Sequence, residues 1–487
     1  MSVIPHFFVL DDPSDGTLTA GSAVTAALMI AAPGSGSGKT TVTAGLTRAL
    51  RRRGLIVQPF KAGPDYIDPG YHERAAGRPC RNLDTWMVPP ESLRTLYARA
   101  SRPGTVNLIE GVMGLFDGRG GDDVGSTADL AKLLDLPVVV VVDVWSTSRT
   151  AGAIALGCQR FDPALNVVGF ILNRVAGESH RQWASDAVTQ ATGLPILGAL
   201  PARDDLAVPE RHLGLIPTAE GKVDEAFFDR FADQVEQSFD LDHLLRLASG
   251  AGTRTGNTRI TSSAPSLFPV ETRPADATIG LALDEAFSFY YADNLDLLRA
   301  WGARLVPFSP LHDSTLPTGV DALYLGGGFP ELFARDLAAN QSMLAAIRQA
   351  ASAGMPIYAE CGGLMYLSRG IADFEEQRFP LVGLVPAWSA IAGRRLTLGY
   401  REATARVDTP LLRRGETARG HEFHWSTLEE ALPIDAAAYT VGDVSASREG
   451  FVHGNLLASY CHLHFASNSV LAPNFVASAS RWRRHGQ

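Results

Sequence analysis

Apolar runs of strand length recur through the first half of the chain, at residues 23–31, 55–60, 105–109, 137–142, 167–172 and 195–200. A strand with one wet face alternates apolar and polar positions. Near-continuous runs instead predict strands covered on both faces, as in a parallel sheet. Behind the first run, Val42, Leu46, Ala49 and Leu50 recur at helical spacing, so residues 23–220 read as repeated strand–helix units. Residues 249–274 break the pattern: they are rich in Gly, Ser, Thr and Pro, with Glu271 the only acid, which predicts a linker. A second set of apolar runs follows at 278–283, 305–308, 322–325, 356–359 and 456–461. Between about 377 and 440, glycine, arginine and alternating patterns predict a β-rich insertion.

The fold class expected is therefore α/β, a parallel-sheet domain followed by a second α/β domain. The expected boundaries are 22–248 for the first domain, 249–275 for the linker and 276–487 for the second. A length of 487 residues agrees, being too great for one core.

Composition narrows the chemistry. A net charge of −9 argues against nucleic acid as a partner, and any anionic substrate would need cations gathered locally. Cys80, Cys158, Cys361 and Cys461 lie far apart without paired spacing, which suggests neither a zinc site nor a disulfide framework. The first residues lack a basic segment and carry Asp11, Asp12 and Asp15, so no signal peptide is expected. The longest apolar runs are too short to span a bilayer. A cytoplasmic enzyme without a membrane partner is the expectation, and a homodimer is the assembly carried forward.

The sharpest motif opens the first domain. Pro33-Gly34-Ser35-Gly36-Ser37-Gly38-Lys39-Thr40-Thr41 lies between a strand and a helix, the arrangement of a P-loop. In such a loop the backbone N–H groups from Gly36 to Thr41 and the helix N-terminus wrap a phosphate. Lys39 would reach the terminal phosphates of ATP, and the Thr40 hydroxyl would hold Mg²⁺. Proline stands where the usual pattern has its first glycine. A flexible turn is the alternative, though it leaves the Lys-Thr-Thr without purpose.

After the second and third strands come Lys61-Ala62-Gly63-Pro64-Asp65-Tyr66-Ile67-Asp68-Pro69 and Glu110-Gly111-Val112-Met113-Gly114-Leu115-Phe116-Asp117-Gly118. Both set carboxylates at the C-terminal ends of strands, where an open α/β sheet binds its ligands. Glu110 and Asp65 are expected at Mg²⁺. For Asp68, a turn-forming role before proline is the simpler reading. Asn173, ending another strand, either reads the adenine edge or is a plain loop residue. Lys61, Arg81 and Arg211 are candidate substrate cations.

In the second domain, Ala359-Glu360-Cys361-Gly362-Gly363 follows an apolar strand and opens a helix, a turn that exposes a nucleophile. The helix N-terminus is expected to lower the Cys361 thiol pKa. A buried structural cysteine is the alternative. Leu325-Gly326-Gly327-Gly328-Phe329 ends another strand, and the N–H groups of Gly327 and Gly328 suit an oxyanion hole. A base should be a histidine, and Tyr460-Cys461-His462-Leu463-His464 offers two. Gly420-His421-Glu422-Phe423-His424 has metal-ligand residue types without a zinc-protease spacing. Asp284 to Tyr291 reads only as a strand end entering a helix, with a substrate or interdomain role the other option.

These motifs together resemble the cobyrinic acid a,c-diamide synthases, whose amidoligase half is related to dethiobiotin synthetase. The likeness runs from about Leu28 to about Phe475 and includes Pro209-Glu210-Arg211-His212-Leu213-Gly214-Leu215. It implies a P-loop amidoligase domain and a class I glutamine amidotransferase domain. The implied reaction activates carboxylates of a corrin-ring polycarboxylate with ATP as acyl phosphates, then aminates them with ammonia from L-glutamine. Residue by residue, Asp65, Asp68, Glu110 and Asp117 would be its Mg²⁺, ATP and substrate-activating acids, and His462 would pair with Cys361. His464 is the second choice of base. It stands where many relatives carry a Glu, which implies a Cys–His dyad without a third member. Cobyric acid synthase and nickel-sirohydrochlorin a,c-diamide synthase are the alternatives within the class. A partitioning-type ATPase switch would explain only the first domain.

Overall fold

A computed structural model describes residues 26–203, 210–211, 214–215, 217–221, 223–250, 266–271, 273–391, 396–442 and 447–485. The chain divides into two compact units.

In the first unit the expected strand–helix repeat is present. Its elements are β1 (Ala26–Ala31), α1 (Lys39–Arg52), β2 (Ile56–Ala62), α2 (Ile67–Ala76), β3 (Arg81–Leu83), α3 (Pro90–Ala100), β4 (Thr105–Glu110) and α4 (Thr127–Leu134). They continue with β5 (Val138–Asp143), α5 (Thr150–Arg160), β6 (Val167–Val175), α6 (Glu178–Thr192), β7 (Ile196–Pro201), the short β8 (Glu210–Arg211) and β9 (Gly214–Leu215), α7 (Glu225–Ser238) and α8 (Leu241–Ser249). Seven strands form one sheet in the order β3-β2-β4-β1-β5-β6-β7. Every pairing in it is parallel. The apolar runs explain this. Val138 to Val142 are at most 1% exposed, so both faces of β5 are covered. Each such side chain contributes about 1.5–3 kcal/mol on burial. Strand β3, only three residues long, is too short to leave a periodic signature. The central β1 delivers the glycine loop to the C-terminal edge of the sheet, between the ends of β4 and β5.

The second unit holds β10 (Ala277–Ala282), α9 (Ala292–Ala300), β11 (Ala303–Phe308), β12 (Ala322–Leu325), α10 (Ala334–Ala339), α11 (Gln341–Ser352), β13 (Ile357–Glu360) and α12 (Gly362–Leu367). Next come β14 (Ser368–Ala372), β15 (Arg378–Pro380), β16 (Val385–Ile391), β17 (Thr397–Ala405), β18 (Thr417–His424), β19 (Ser426–Leu428), β20 (Tyr439–Val441), β21 (Ser447–Glu449), β22 (Phe451–His453), β23 (Leu456–Ser459), β24 (His462–Leu463) and α13 (Leu471–His485). The main sheet runs β11-β10-β12-β13-β23-β22 and is parallel except at the β22 edge. The expected β-rich insertion forms two further sheets, β15-β14-β16-β19 and β21-β20-β17-β18-β24. Within the sequence run 456–461 the strand β23 ends at Ser459, and the break before β24 moves the histidine strand out of the main sheet and onto β18.

Candidate active site

The glycine loop turns because two of its residues adopt positive φ, Gly36 at 72° and Gly38 at 91°. Gly38 caps α1 in the left-handed region, and a Cβ there would lie 2.1 Å from Asn173 Nδ2. Only glycine fits both demands. Ser37 Oγ donates to the Gly34 carbonyl at 2.9 Å, tightening the loop. Lys39 Nζ donates to the carbonyls of Gly34 at 3.2 Å and Met113 at 2.6 Å, so the ammonium lies across the loop mouth. Burial lowers its pKa, and the neighbouring Lys61 charge adds to that, against the pull of Glu110. Thr40 and Thr41 follow in the first turn of α1. Asn173 lies within β6 rather than on a loop and gives its amide N–H to the Ser37 carbonyl at 2.9 Å, propping the loop from beneath.

The acids assemble beside it. Glu110, the last residue of β4, is fully buried. Its Oε1 accepts from Thr40 Oγ1 at 2.9 Å and from Lys61 Nζ at 2.9 Å, and its Oε2 pairs with His72 Nε2. Burial alone would raise this carboxyl, but Lys61 and His72 outweigh it and hold it well below the usual carboxylate range. Lys61 also binds Asp68 Oδ2 at 2.6 Å and the Gly111 carbonyl at 3.1 Å. Burial would lower its pKa, yet Asp68, Glu110 and Asp65 together raise it. With only 3% of its surface exposed, Lys61 is an internal counter-ion of the acid cluster rather than an open substrate cation.

The turn-forming part expected of Asp68 falls to Asp65. Asp65 is the turn-former, its Oδ1 accepting Ile67 N–H at 2.8 Å, whereas Asp68 makes the ion pair. An aspartate two residues ahead of a helix start meets a free backbone N–H; one inside the first turn points outward to Lys61. Asp65 sits 4.0 Å from Lys61, and burial, then the charge of Asp68, push its carboxyl well above the usual range. Asp117 Oδ2 accepts Gly114 N–H at 2.9 Å and so folds the loop after β4. Thr127 pins the same loop, accepting Val112 N–H at 2.9 Å and donating to Val112 O at 3.0 Å. Arg211 lies in β8, but its side chain falls outside the described residues, as do His212 and Leu213 of the same motif.

The donor set suits Mg²⁺. Hydroxyl and carboxylate oxygens of Thr40, Glu110 and Asp65 are hard ligands of the kind that ion takes. Among the described residues no cluster of three or more His, Cys, Asp or Glu ligands forms.

In the second unit Cys361 sits at the end of β13 with φ 46° and ψ −101°, the strained backbone of a strand-to-helix elbow. Its Sγ is 3.9 Å from the Phe423 carbonyl. The expectation of a lowered pKa fails: burial, then the Glu331 charge, push the thiol up, with Glu360 and Glu422 adding to it. The Gly362 N–H opposes this, but α12 spans only six residues and its end is outweighed by desolvation. Cys80, Cys158 and Cys461 are also buried free thiols.

Close packing explains the glycine turn after β12. A Cβ on Gly327 would lie 2.4 Å from His462 Cε1, one on Gly328 would lie 2.0 Å from the Ala286 carbonyl, and one on Gly362 would lie 3.0 Å from Gly328 N. The elbow and the histidine therefore meet at one turn. Of the two expected oxyanion donors, Gly327 N–H points at the Phe289 carbonyl, 3.3 Å away, which leaves Gly328 as the better placed. The stretch from Asp284 to Tyr291 builds this turn: Ser288 and Phe289 N–H groups donate to Gly327 O at 3.1 Å, and Tyr290 Oη accepts Gly326 N–H at 2.8 Å.

His462 is 1% exposed and stacks on His421 with ring centroids 5.1 Å apart. His464 points elsewhere: its Nδ1 accepts Ala466 N–H at 3.2 Å, and its ring lies against Tyr291. Burial lowers its pKa to about 3. The residues of the His421–His424 motif also take separate partners, although His424 Nε2 stays 4.0 Å from Glu422 Oε2. His421 bonds Tyr291 Oη at 2.9 Å, Glu422 pairs with Arg401 at 2.9 Å, and His424 stacks on Tyr460.

Two residues of these sites were not singled out from the sequence. His72 lies one helical turn after Asp68, and Glu360 is a charge closing an otherwise apolar strand. Either oddity is a signal, but a weak one without the partner.

Residues 28–216 match the model of the CobQ/CobB/MinD/ParA nucleotide binding domain, and residues 278–470 match that of the CobB/CobQ-like glutamine amidotransferase domain. The cobyrinate a,c-diamide synthase of a Synechococcus species is 45% identical, over 93% of this chain and 98% of the relative. That of Dehalococcoides mccartyi is 43% identical over 92% and 97%, and that of Salmonella typhimurium 43% over 93% and 98%. With the likeness extending through both units, the chain belongs to the cobyrinate a,c-diamide synthase family.

Proposed function

We propose that the chain is an ATP- and glutamine-dependent ligase that amidates the a and c carboxylates of cobyrinic or hydrogenobyrinic acid in cobalamin biosynthesis. The observation that carries this reading is the presence, in one chain, of a phosphate loop bonded to a buried acid cluster and a cysteine elbow packed against a glycine turn and a histidine. A switch ATPase leaves the elbow idle, and a lone cysteine hydrolase leaves the loop idle.

In the glutaminase half, Cys361 is the nucleophile, His462 its base and Gly328 N–H the donor to the developing oxyanion. In the synthetase half, a substrate carboxylate oxygen attacks the γ-phosphorus of ATP and ADP leaves. Ammonia then displaces phosphate from the acyl carbon. The loop from Gly36 to Thr41 and Lys39 hold the phosphates in line. Lys61 and His72 hold Glu110 ionised and oriented toward Thr40. Mg²⁺, held by Thr40, Glu110 and Asp65, would neutralise phosphate charge there. The cytoplasm suits the reading, since it supplies ATP and keeps thiols such as Cys361 reduced. Among the described residues no helix is long and apolar enough to cross a membrane.

The test is mass spectrometry of cobyrinic and hydrogenobyrinic acids incubated with the protein, ATP and glutamine. Two exchanges of OH for NH₂, dependent on both co-substrates, are expected. Product from neither acid, with amidation of nickel-sirohydrochlorin instead, overturns the substrate assignment.

A further inference from the structure

The resemblance implies a cysteine–histidine dyad, because the position two residues after His462 is His464 rather than an acid. Tertiary structure brings an acid from a different place. Glu360, the residue before the nucleophile, is 1% exposed and its Oε2 lies 3.8 Å from His462 Nδ1. Three groups fix the carboxylate. Tyr324 Oη donates to Oε2 at 3.0 Å, Tyr358 Oη donates to Oε1, and Leu463 N–H donates to Oε1 at 3.0 Å. The last of these comes from the residue after His462, so the same carboxylate is tied to the backbone of the histidine strand.

We propose that Glu360 is the positioning residue of His462, holding its Nδ1 side and balancing the imidazolium charge that forms during glutamine hydrolysis. Strand alternation makes this possible. Cys361 turns out of β13 at the elbow while Glu360, one residue earlier, points toward β24 of the neighbouring sheet. The inference rests on Cys361 and His462 being the glutaminase pair. In the step concerned, His462 takes the Cys361 thiol proton as sulfur bonds to the glutamine amide carbon. It returns that proton to the departing nitrogen, ammonia leaves, a thioester remains, and water hydrolyses it to glutamate.

Other titratable groups face the same ring. His421 stacks on it, and His464, His424 and Glu422 lie around it. Burial lowers the pKa of His421, of His424 to about 4 and of His464 to about 3, so these three stay neutral. Glu422 is committed to Arg401 at 2.9 Å. Glu422 also feels the His462 charge, but among the described residues Glu360 is the carboxylate at ion-pair distance from the ring. Its charge also raises the Cys361 thiol, which gives the test a sign. If that were its only effect, removing the charge would make the nucleophile easier to ionise and speed hydrolysis.

Glutaminase pH–rate profiles of Glu360→Gln and Glu360→Asp decide between the two. With Gln, kcat should fall about 100-fold with KM for glutamine little changed, and the acid limb should move about one unit lower. With Asp, which keeps the charge, the limb should stay in place even where kcat falls. Wild-type or faster hydrolysis by Glu360→Gln, or an unmoved acid limb, overturns the proposal. Should the Gln variant fail to fold, a displaced limb in Glu360→Asp does the same. Cys361→Ser serves as the separate control: if it still hydrolyses glutamine, the assignment of the nucleophile is at fault and not that of Glu360.

Discussion

Gly327 and His462 are in van der Waals contact so close that a Cβ on the glycine would lie 2.4 Å from the imidazole Cε1. Backbone on one side, the stacked His421 ring on another and Glu360 Oε2 at 3.8 Å from Nδ1 leave the ring little room to turn, so packing orients the base.

Gly327→Ala should therefore displace His462 and lower glutamine hydrolysis about 100-fold, while ATP-dependent amidation with ammonium salts continues. Parallel assays with the two nitrogen donors check this. Equal loss with both donors would show that the turn serves the whole protein rather than the base.

Histidine replacements should separate the two neighbours. His462→Ala is expected to abolish glutamine hydrolysis. His464→Ala removes a cap on Ala466 N–H and should instead cost stability, about 1 kcal/mol for the cap alone, with the glutaminase retained. Thermal melting and glutamate release measure the two effects, and glutaminase loss at His464 alone would reverse the choice of base.

Glu110→Gln should remove amidation with either nitrogen donor and leave glutamine hydrolysis in place. It also predicts a change in acid stability. The Glu110 carboxyl is depressed below its ordinary value of 4.5 in the folded protein, so its contribution is present above that pH and lost as pH falls through the folded value. Denaturant titrations between neutral and strongly acidic pH should show the Gln variant less stable near neutrality and less sensitive to acid. Identical slopes would mean that the Lys61–Glu110–His72 arrangement does not govern stability.

The Cys361 thiol is raised above its ordinary 9.0 by burial, so its thiolate is scarce near pH 7 in the resting protein. Iodoacetamide labelling of Cys361, followed by peptide mass spectrometry, should be slow at neutral pH and climb about tenfold per pH unit beyond pH 9. Rapid labelling at pH 7 with a plateau would favour a preformed ion pair with His462 instead.

The sequence by itself determined the elements and the reactive groups. Continuous apolar runs dictated parallel strands, and glycines at Gly36, Gly38, Gly327 and Gly328 dictated the turns, because both signals are local. Only tertiary structure decided which groups answer one another. Lys61 turned inward to Glu110 and Asp68, Asp65 rather than Asp68 formed the turn, and His72 joined the acid cluster from a helix. The Cys361 thiol rose instead of falling, because desolvation depends on everything packed around it. Glu360 reached His462 across the break between β23 and β24, from more than a hundred positions away in the chain. Coulombic interaction and burial act through space, so no spacing along the chain encodes them.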